Sequence, residues 1–421
     1  MKVFYKSLIA LGLSAMSAQS FAAAFQLAEQ NVSGLGRAYA GEASAADDAS
    51  VVGRNAALMT QFNQAQASVA AMYVMPDVSL AGTSTNNGMN PNVLDDSSIA
   101  PNAVIPAAYY TQPINDQWYV GVGVYSQFGL ATEFDANYAA GQLAGETEIV
   151  TINTNFSVAY KVDEQWSLAF GLDHVYADAK IVRNFGASPL PVPAQTEAVR
   201  LEGDDQAFGW HVGVAYELDA QTRIGFSYRS ETDITFEGDF SNQLPAGAPF
   251  YGTQGQKLPG SVELTLPAMA ELSASHQYNE VIGVHASLNW TGWNSFQSLA
   301  AQVEGRGTVF SKNESFSNSW RVAVGSDYQY SKELKLRLGL AYDQSPADQA
   351  HLSISIPDTD RIWFSFGGEY QIDAQSSVDV GVSVLRGKTQ NFVEHDNLGQ
   401  AWGFESRGHA TVIGAQYNYA F

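Results

Sequence analysis

Residues 152–172 read INTNFSVAYKVDEQWSLAFGL, and their pattern decides the fold. From Ile152 to Tyr160, apolar or aromatic side chains alternate with small or polar ones, and the alternation resumes at Trp166. Successive side chains of a β-strand point to opposite faces, so this period of two predicts two strands, each with one apolar face. The residues between them, 162–165, predict a short turn, and the whole segment is therefore a β-hairpin.

The same unit, an aromatic strand end followed by a short turn and a new apolar strand, recurs along the chain. Its six copies begin at Tyr109, Ala159, Ala215, Ser275, Asp327 and Glu369. Between them run longer connections rich in Gly, Pro, Asn and Asp. Short turns at one rim and long loops at the other are typical of outer-membrane barrels. Six turns join twelve strands, and one more strand at each end predicts an all-β fold, a 14-stranded antiparallel transmembrane β-barrel.

The aromatic residues and the last strand also indicate an outer-membrane location. Aromatic side chains near the short turns predict a girdle at the periplasmic interface of the membrane, formed by Tyr109, Trp118, Tyr160, Trp166 and Tyr216. The alternating last strand ends at Phe421, which looks like the signal by which the barrel-assembly machinery recognises its clients, so this machinery is an expected partner during biogenesis. A soluble β-sandwich is the alternative fold, but it would not need so many alternating strands.

Composition and charge exclude some partners. The 421 residues include 43 Asp and Glu against 21 Lys and Arg, a net charge of -22, and no Cys. Nucleic acid is not an expected partner, because phosphate binding needs a basic face. A chain without Cys fits an oxidising periplasmic route. Outer-membrane lipid and lipopolysaccharide are expected partners; the acidic excess either binds lipopolysaccharide through divalent cations or only keeps the loops soluble.

Residues 1–22 read MKVFYKSLIALGLSAMSAQSFA and predict a secretory signal peptide. Lys2 and Lys6 precede an apolar run, and small residues end at Ala22. The apolar run is too short for a membrane-spanning helix, which needs roughly 20 residues. Cleavage after Ala24 fits the same rule. Together with the strand pattern, the signal predicts a multi-pass barrel in the outer membrane of a Gram-negative cell.

Residues 23–64 show no alternation and contain many small residues and scattered charges. The segment is too polar to face lipid and too long for a turn. It is therefore predicted to be a plug, or hatch, inside a barrel formed by residues 65–421, which would otherwise be an open pore. Gly34 and Gly36 do not form a dinucleotide-binding motif, because Tyr39 stands where the third glycine is required.

Residues 25–58, FQLAEQNVSGLGRAYAGEASAADDASVVGRNAAL, resemble the hatch of the FadL family of long-chain fatty acid transporters. The likeness continues at SQFGLATEF, VYADAKIVRNFG and LSISIPDTDRIW, and it spans essentially the whole mature chain. The resemblance implies a barrel with a lumenal hatch that takes up long-chain fatty acids, or similar amphiphiles, and releases them sideways through the wall. One departure is Asn55-Ala56-Ala57, where the family commonly has Asn-Pro-Ala; losing the fixed φ of Pro would loosen the hatch there.

A fatty acid needs an apolar pocket with cations where its carboxylate stops. By resemblance, Arg183 in AKIVRNFG and Lys312 in VFSKNESF match the basic residues that the family uses near the head group. Asp343 in LAYDQSP matches an acidic pocket residue, and Phe25 matches the aromatic that the hatch inserts into the pocket. The alternative is that these charges only hold the barrel wall together.

The resemblance also implies an exit and a capture surface. Gly129 matches the region where the third strand of the family kinks inward and opens the wall, and Gly tolerates such a break. The loops 185–204 and 236–260 match those that form an apolar capture groove. Its expected members are Phe185, Leu190, Leu244, Phe250 and Leu258. Ordinary loop packing is the alternative.

Other functions remain open at this point. Other branches of the family transport uncharged or aromatic hydrocarbons, although Arg183 and Lys312 favour an anionic ligand. An outer-membrane enzyme such as a phospholipase would need a Ser beside a His on the outer barrel face, and the seven His form no catalytic motif, so the chain is predicted not to be an enzyme. A general porin or a phage receptor is a third alternative. No metal site or cofactor is expected.

Overall fold

The computed structural model describes residues 24–85, 88–246 and 252–421. The predicted signal peptide, residues 1–22, lies outside the described residues. None of the described helices is long and apolar enough to cross a membrane. The described strands are β1 (Gln66–Thr85), β2 (Ala103–Pro113), β3 (Trp118–Tyr125), β4 (Gly129–Glu133), β5 (Gly145–Lys161), β6 (Trp166–Asn184), β7 (Glu197–Glu217), β8 (Thr222–Arg229), β9 (Thr232–Ser241), β10 (Leu258–Leu266), β11 (Met269–Gln277), β12 (Ile282–Thr291), β13 (Ser298–Val303), β14 (Gly307–Asn313), β15 (Ser319–Gln329), β16 (Leu334–Asp343), β17 (Arg361–Gln371), β18 (Ser376–Gly387), β19 (Gln390–His395) and β20 (Ala401–Ala420).

These strands form a closed antiparallel barrel. Six barrel strands are interrupted and consist of two consecutive halves, namely β3 with β4, β8 with β9, β10 with β11, β12 with β13, β14 with β15, and β18 with β19. The first and last strands close the cylinder, because β1 pairs with β20 from Gln66↔Ala420 to Thr85↔Trp402. The predicted 14-stranded antiparallel β-barrel is confirmed.

The six predicted short turns are all present, and each connects its strands through four residues. In every one, an Asn, Asp or Ser side chain accepts hydrogen bonds from backbone N–H groups two or three positions further along. These residues are Asn115, Asp163, Asp219, Asn279, Ser331 and Asp373. Side chains of this kind replace a backbone acceptor in a turn, which explains why the same residue types recur.

The predicted alternation separates the two faces of the wall. On β5, Phe156 is 59% exposed on the outer face, whereas Asn155 is completely buried on the inner face. At the short-turn end, the rings of Trp166 and Tyr216 lie 4.4 Å apart on the outside, as the girdle requires. Tyr109 was wrongly assigned to this girdle.

Tyr109 is 4% exposed, and its hydroxyl donates to the backbone oxygen of Gln30 over 3.0 Å. It therefore points into the barrel. The assignment failed because β2 carries two consecutive tyrosines, and the less buried Tyr110 occupies the other face, where its ring meets that of Phe421.

The N-terminal segment, residues 24–64, contains two four-residue helices, α1 (Val32–Leu35) and α2 (Val51–Arg54), and a 3-10 helix (Ala56–Gln61). The side chain of Asn31 accepts from Gly34 N and caps α1. That of Asn55 accepts from Ala57 N and caps the 3-10 helix. Helices this short are not stable alone, so contacts with the rest of the chain must hold them in place.

Those contacts come from the inner face of widely separated strands. Val32 N donates to the side chain of Gln416 on β20 over 2.9 Å, and Gly41 N donates to Ser287 Oγ on β12 over 2.7 Å. The side chain of Asn55 donates to Val214 O on β7 over 2.9 Å. The segment is thus hydrogen-bonded to inward-facing groups on several sides of the barrel.

Inward-facing glycines allow the segment to approach the wall backbone. A Cβ atom on Gly225 of β8 would lie 1.6 Å from the backbone oxygen of Ala43. A Cβ atom on Gly339 of β16 would lie 2.0 Å from the carbonyl carbon of Arg37. Side chains at these two positions would overlap the N-terminal segment, so its path depends on their absence.

A buried charge network links the segment to β15 and β16. Arg37 is 1% exposed and pairs with Asp47 at 2.5 Å and with Asp327 at 3.1 Å. Burial by itself would raise the pKa of Asp47, but the nearby cations Arg37, Arg337 and Lys335 outweigh it and hold that pKa well below its usual value. Asp47 therefore stays ionised and attached at neutral pH.

Candidate ligand-binding site

A polar cavity of about 280 Å³ lies near the long-loop end of the barrel. The chain brings charged residues to it from separate elements: Arg183 from the end of β6, Lys312 from β14, Glu314 from the residues after β14, and Glu394 from β19. Two of the residues singled out from the sequence, Arg183 and Lys312, therefore line the same cavity.

Arg183 carries a buried guanidinium group that meets only uncharged oxygens. The side chain is 5% exposed, and its Nη atoms donate to Glu146 O, Val182 O, Thr147 Oγ1 and Ser355 Oγ at 2.8–3.1 Å. It forms no ion pair with any carboxylate in the described part of the chain. A buried charge without a direct ion pair is costly, and an incoming anion would supply that pair.

Lys312 has a different environment, because its Nζ pairs with Glu394 Oε1. Glu394 is itself fixed, since its second oxygen accepts from Ile354 N at 3.1 Å. Glu314 is 2% exposed, and its Oε2 atom has no hydrogen-bond partner among the described residues. The cavity thus holds one satisfied ion pair, one unpaired cation and one carboxylate with an unsatisfied oxygen.

A smaller apolar cavity of about 40 Å³ adjoins the polar one. The two cavities share Thr147, Leu299 and Ile356 in their walls. Beyond these shared residues, the second cavity is lined mainly by aliphatic and aromatic side chains, including Ile149, Ile181, Leu201, Phe236, Val262, Leu264 and Phe296. Together they offer one polar end and one apolar end, which matches an amphiphile with a single charged head.

Phe25 lies in an aromatic cluster next to the apolar cavity. Its ring is fully buried, with its centroid 4.6 Å from that of Trp293, 5.4 Å from Phe296 and 6.0 Å from Phe128. Because Phe296 also lines the apolar cavity, Phe25 contacts the wall of that cavity from the side of the N-terminal segment.

A break in the wall lies next to Phe25. Pairing between β2 and β3 stops at Ala108↔Val124, and β4, which begins at Gly129, pairs with β5 but not with β2. In the described chain, residues 103–107 of β2 therefore have a wall neighbour on one side only, which is β1. The N-terminal segment lies against the break: Leu27 N donates to Gln127 O over 2.7 Å.

The remaining expected residues lie elsewhere. Asp343 is 4% exposed at the end of β16, between its cross-strand neighbours Arg321 and Arg361, and does not line either cavity. Asn55, Ala56 and Ala57 are buried in the N-terminal segment.

The expected groove residues differ in exposure. Phe185 and Leu244 are each 4% exposed, whereas Leu190 is 40% exposed. Leu258 is partly buried against the apolar core, and Phe250 lies outside the described residues.

The structure adds residues that the sequence reasoning missed. Glu314 follows Lys312 by two positions, and this closeness was a usable signal. No sequence pattern pointed to Glu394, because it lies 82 residues from its partner Lys312 along the chain. No group of three or more metal-ligating side chains suited to a metal ion occurs within the described residues.

A second polar cluster joins Ser157, His211 and Asp173 on three adjacent strands. Ser157 Oγ lies 3.0 Å from His211 Nε2, and His211 Nδ1 lies 2.9 Å from Asp173 Oδ2. All three side chains are buried and face the lumen. Asp173 also pairs with Arg229, which donates to Gly53 O over 3.0 Å, so the cluster connects the wall to the N-terminal segment.

A closed barrel with an apolar outer face and an amphiphilic internal cavity defines a transport barrel of the outer membrane. The family model described as outer membrane protein transport protein (OMPP1/FadL/TodX) matches residues 13–421. The chain therefore belongs to this family, and it is an outer-membrane β-barrel.

Relatives and solved structures agree with this assignment. The chain is 41% identical to the long-chain fatty acid transport protein of Escherichia coli O6:H1, over 100% of this chain and 99% of the relative. It is also 41% identical to a 47 kDa outer membrane protein of Pasteurella multocida, over 99% of both chains. The crystal structure of a Pseudomonas aeruginosa FadL homologue superposes with a TM-score of 0.85 at 25% identity, covering 95% of this chain and 100% of that one.

Proposed function

We propose that this protein carries long-chain fatty acids, or similar amphiphiles with one anionic head, across the outer membrane. The observation that carries the proposal is Arg183, a buried guanidinium group that makes no direct ion pair with the described residues, at the polar end of a cavity that continues into an apolar one. The ligand carboxylate would pair with Arg183 while its tail lies in the apolar cavity. The names of relatives such as the Escherichia coli O6:H1 protein support this ligand class.

The proposed route out of the pocket is the break in the wall near Gly129. Lateral release would let an apolar tail pass from the pocket into the membrane without crossing water. The N-terminal segment closes this route in the present conformation, because Phe25 and Leu27 lie between the pocket and the break. Release would therefore require movement of residues 25–27.

We further propose that the N-terminal segment is a plug that prevents free diffusion of small solutes. Its many contacts with inward-facing groups support this role, as does the buried pair between Arg37 and Asp327. Asn55 holds the Asn-Ala-Ala stretch through hydrogen bonds to Ala43 O and Val214 O, so the missing Pro is offset by polar contacts.

Capture at the cell surface is assigned to the long loops. Leu190, with 40% of its surface exposed, is an accessible apolar contact for a ligand arriving from outside. Phe185 and Leu244 would support the loops from below, since both are buried.

The second candidate is transport of uncharged hydrocarbons. The Pseudomonas putida toluene transporter TodX shares the fold, with a TM-score of 0.70 at 15% identity. A neutral ligand would leave Arg183 without a direct ion pair, so the polar cavity favours an anion. A catalytic role for Ser157 and His211 is disfavoured because both are buried in the lumen, away from the membrane lipids that a phospholipase cleaves. The exposed loops leave a role as a phage receptor compatible with transport.

Binding of radiolabelled oleate to the purified protein tests the proposal. The double variant R183A/K312A should bind at least about 100-fold more weakly, because two charge-assisted hydrogen bonds contribute roughly 1.5 kcal/mol each. The matched control is R407A/K388A, which removes the same charges from side chains that are 61% and 63% exposed. Unchanged oleate affinity in R183A/K312A would refute the head-group site, and growth on oleate of a deletion strain carrying each variant tests uptake itself.

A further inference from the structure

Glu314 occupies an unusual position for a carboxylate. Its backbone is fixed, since Glu314 N and Ser315 N both donate to Gln297 O over 2.9 Å. Ser315 adopts a left-handed conformation with φ 46°, which a non-glycine residue rarely does. The constrained backbone directs the side chain of Glu314 into the polar cavity, where its Oε2 atom is buried without a hydrogen-bond partner.

The formal charges of the side chains that line the polar cavity sum to zero before any ligand binds. Two cations, Arg183 and Lys312, face two carboxylates, Glu314 and Glu394. A fatty acid anion would add a third carboxylate and leave one uncompensated negative charge in a buried site. Such a charge is strongly disfavoured, and the usual relief is protonation of one of the acids.

The contacts of the two glutamates decide which one takes the proton. Glu394 already accepts from Lys312 Nζ and from the backbone N–H of Ile354. Glu314 lacks comparable donors at Oε2, so its carboxylate is the easier one to neutralise. A protonated Glu314 could then donate to the ligand carboxylate.

We propose that fatty acid binding takes up one proton, which Glu314 holds while it hydrogen-bonds to the ligand carboxylate beside Arg183. The inference rests on the proposed function and extends it. The proton moves from water to an oxygen of Glu314, no covalent bond to the ligand forms, and the proton returns to water when the ligand leaves.

The groups that face Glu314 set the pH range. Burial raises the pKa of Glu314 to about 7, against the opposing effects of Lys312, Arg183 and His351. His351 belongs to the loop before β17, where its Nδ1 lies 2.9 Å from Asp348, and His395 follows Glu394 in the wall of the cavity. Above pH 7 the free site must gain a proton to bind an anion, whereas below pH 7 Glu314 already carries it.

Oleate titrations at fixed salt between pH 6 and pH 8.5 test the proposal. The wild-type affinity should be nearly constant below pH 7 and fall by up to about tenfold per pH unit above it, the slope for one proton. E314Q mimics the protonated acid and should bind at pH 8 at least as tightly as the wild type, without this slope. E405Q, which changes a glutamate on the outer face next to Arg407, should keep the wild-type slope.

Calorimetry of oleate binding at pH 8 in buffers of different ionisation enthalpy counts the protons directly. We expect about one proton per oleate for the wild type and about none for E314Q, as the slopes require. A wild type that takes up no proton, an E314Q variant that keeps the slope, or an H351Q variant that alone loses it would overturn the proposal. In each of these outcomes oleate still binds to the protein. If the proposed function itself is wrong, oleate does not bind at any pH.

Discussion

Gly129 N donates a hydrogen bond to Phe25 O over 2.7 Å, which joins the first described residues of the chain to the break in the wall. Gln26 and Phe128 form an antiparallel bridge at the same place. The segment whose movement the proposed lateral release requires is therefore paired, through its backbone, with the strand beside the proposed exit.

A disulfide across this bridge should lock the exit. Opposed residues in an antiparallel pair lie within the Cα distance that a disulfide needs, and the chain contains no native Cys to interfere. The variant Q26C/F128C is expected to lose oleate uptake when oxidised and to recover it on reduction, while oleate binding persists in both states. Uptake by cells under oxidising and reducing conditions provides the measurement, with each single Cys variant as control. Equal uptake in both states would mean that residues 25–27 need not move.

A bulky side chain at Gly129 should slow release. We expect G129F to lower the initial rate of oleate uptake by about tenfold, the effect of roughly 1.4 kcal/mol on the rate-limiting barrier. Oleate affinity should stay unchanged, since Gly129 lines neither of the two cavities. Comparison of uptake with equilibrium binding separates the two effects, and normal uptake would place the exit elsewhere in the wall.

A single methyl group at Gly225 should disturb the proposed plug. Its Cβ would overlap the backbone oxygen of Ala43, so the N-terminal segment must shift in G225A at a cost of about 1–3 kcal/mol. We expect larger ion conductance in planar bilayers than for the wild type. The control is G408A on β20, where a Cβ would meet open space. Equal conductance for both variants would show that the segment does not limit ion flow.

The proposed plug should resist mild acid. The pKa of Asp47 is depressed in the folded state, so its contribution to stability is complete above its unfolded value of about 3.9 and is lost as the pH falls below it. Conductance is therefore expected to stay low from pH 8 to pH 5 and to rise only below about pH 4. D47N should raise conductance already at pH 7, because it leaves Arg37 and Arg337 without that carboxylate. An opening near pH 6 in the wild type would assign the control to another group.

The sequence predicted the barrel well because its signals are local. The hairpin around residues 162–165 and its repeats depend on alternation and turn chemistry within about ten residues. The interruptions of six strands were not foreseen, apart from the family resemblance at Gly129. A break depends on how neighbouring strands pair, and the sequence of one strand alone does not reveal that pairing. The prediction for Tyr109 was wrong for a related reason, because the strand register decides whether its side chain faces the lumen or the lipid.

The candidate site was only partly accessible from sequence. Arg183 and Lys312 were singled out through resemblance and line one cavity. Asp343 lies apart from them, on a wall position between two arginines. The pairing of Lys312 with Glu394 connects distant parts of the chain, and only the folded barrel brings such residues together. The set of charged side chains around Glu314 therefore follows from the fold and could not be read from the sequence.

The uniform four-residue turns also determine where foreign peptides can be inserted. Each four-residue connection is closed by a hydrogen-bonded side chain such as Asn115 or Asp163, so an insertion there would remove the bond and shift two strands. The loops at the opposite rim have no such fixed length. An epitope inserted after Leu190 would be displayed on the cell surface without altering the wall.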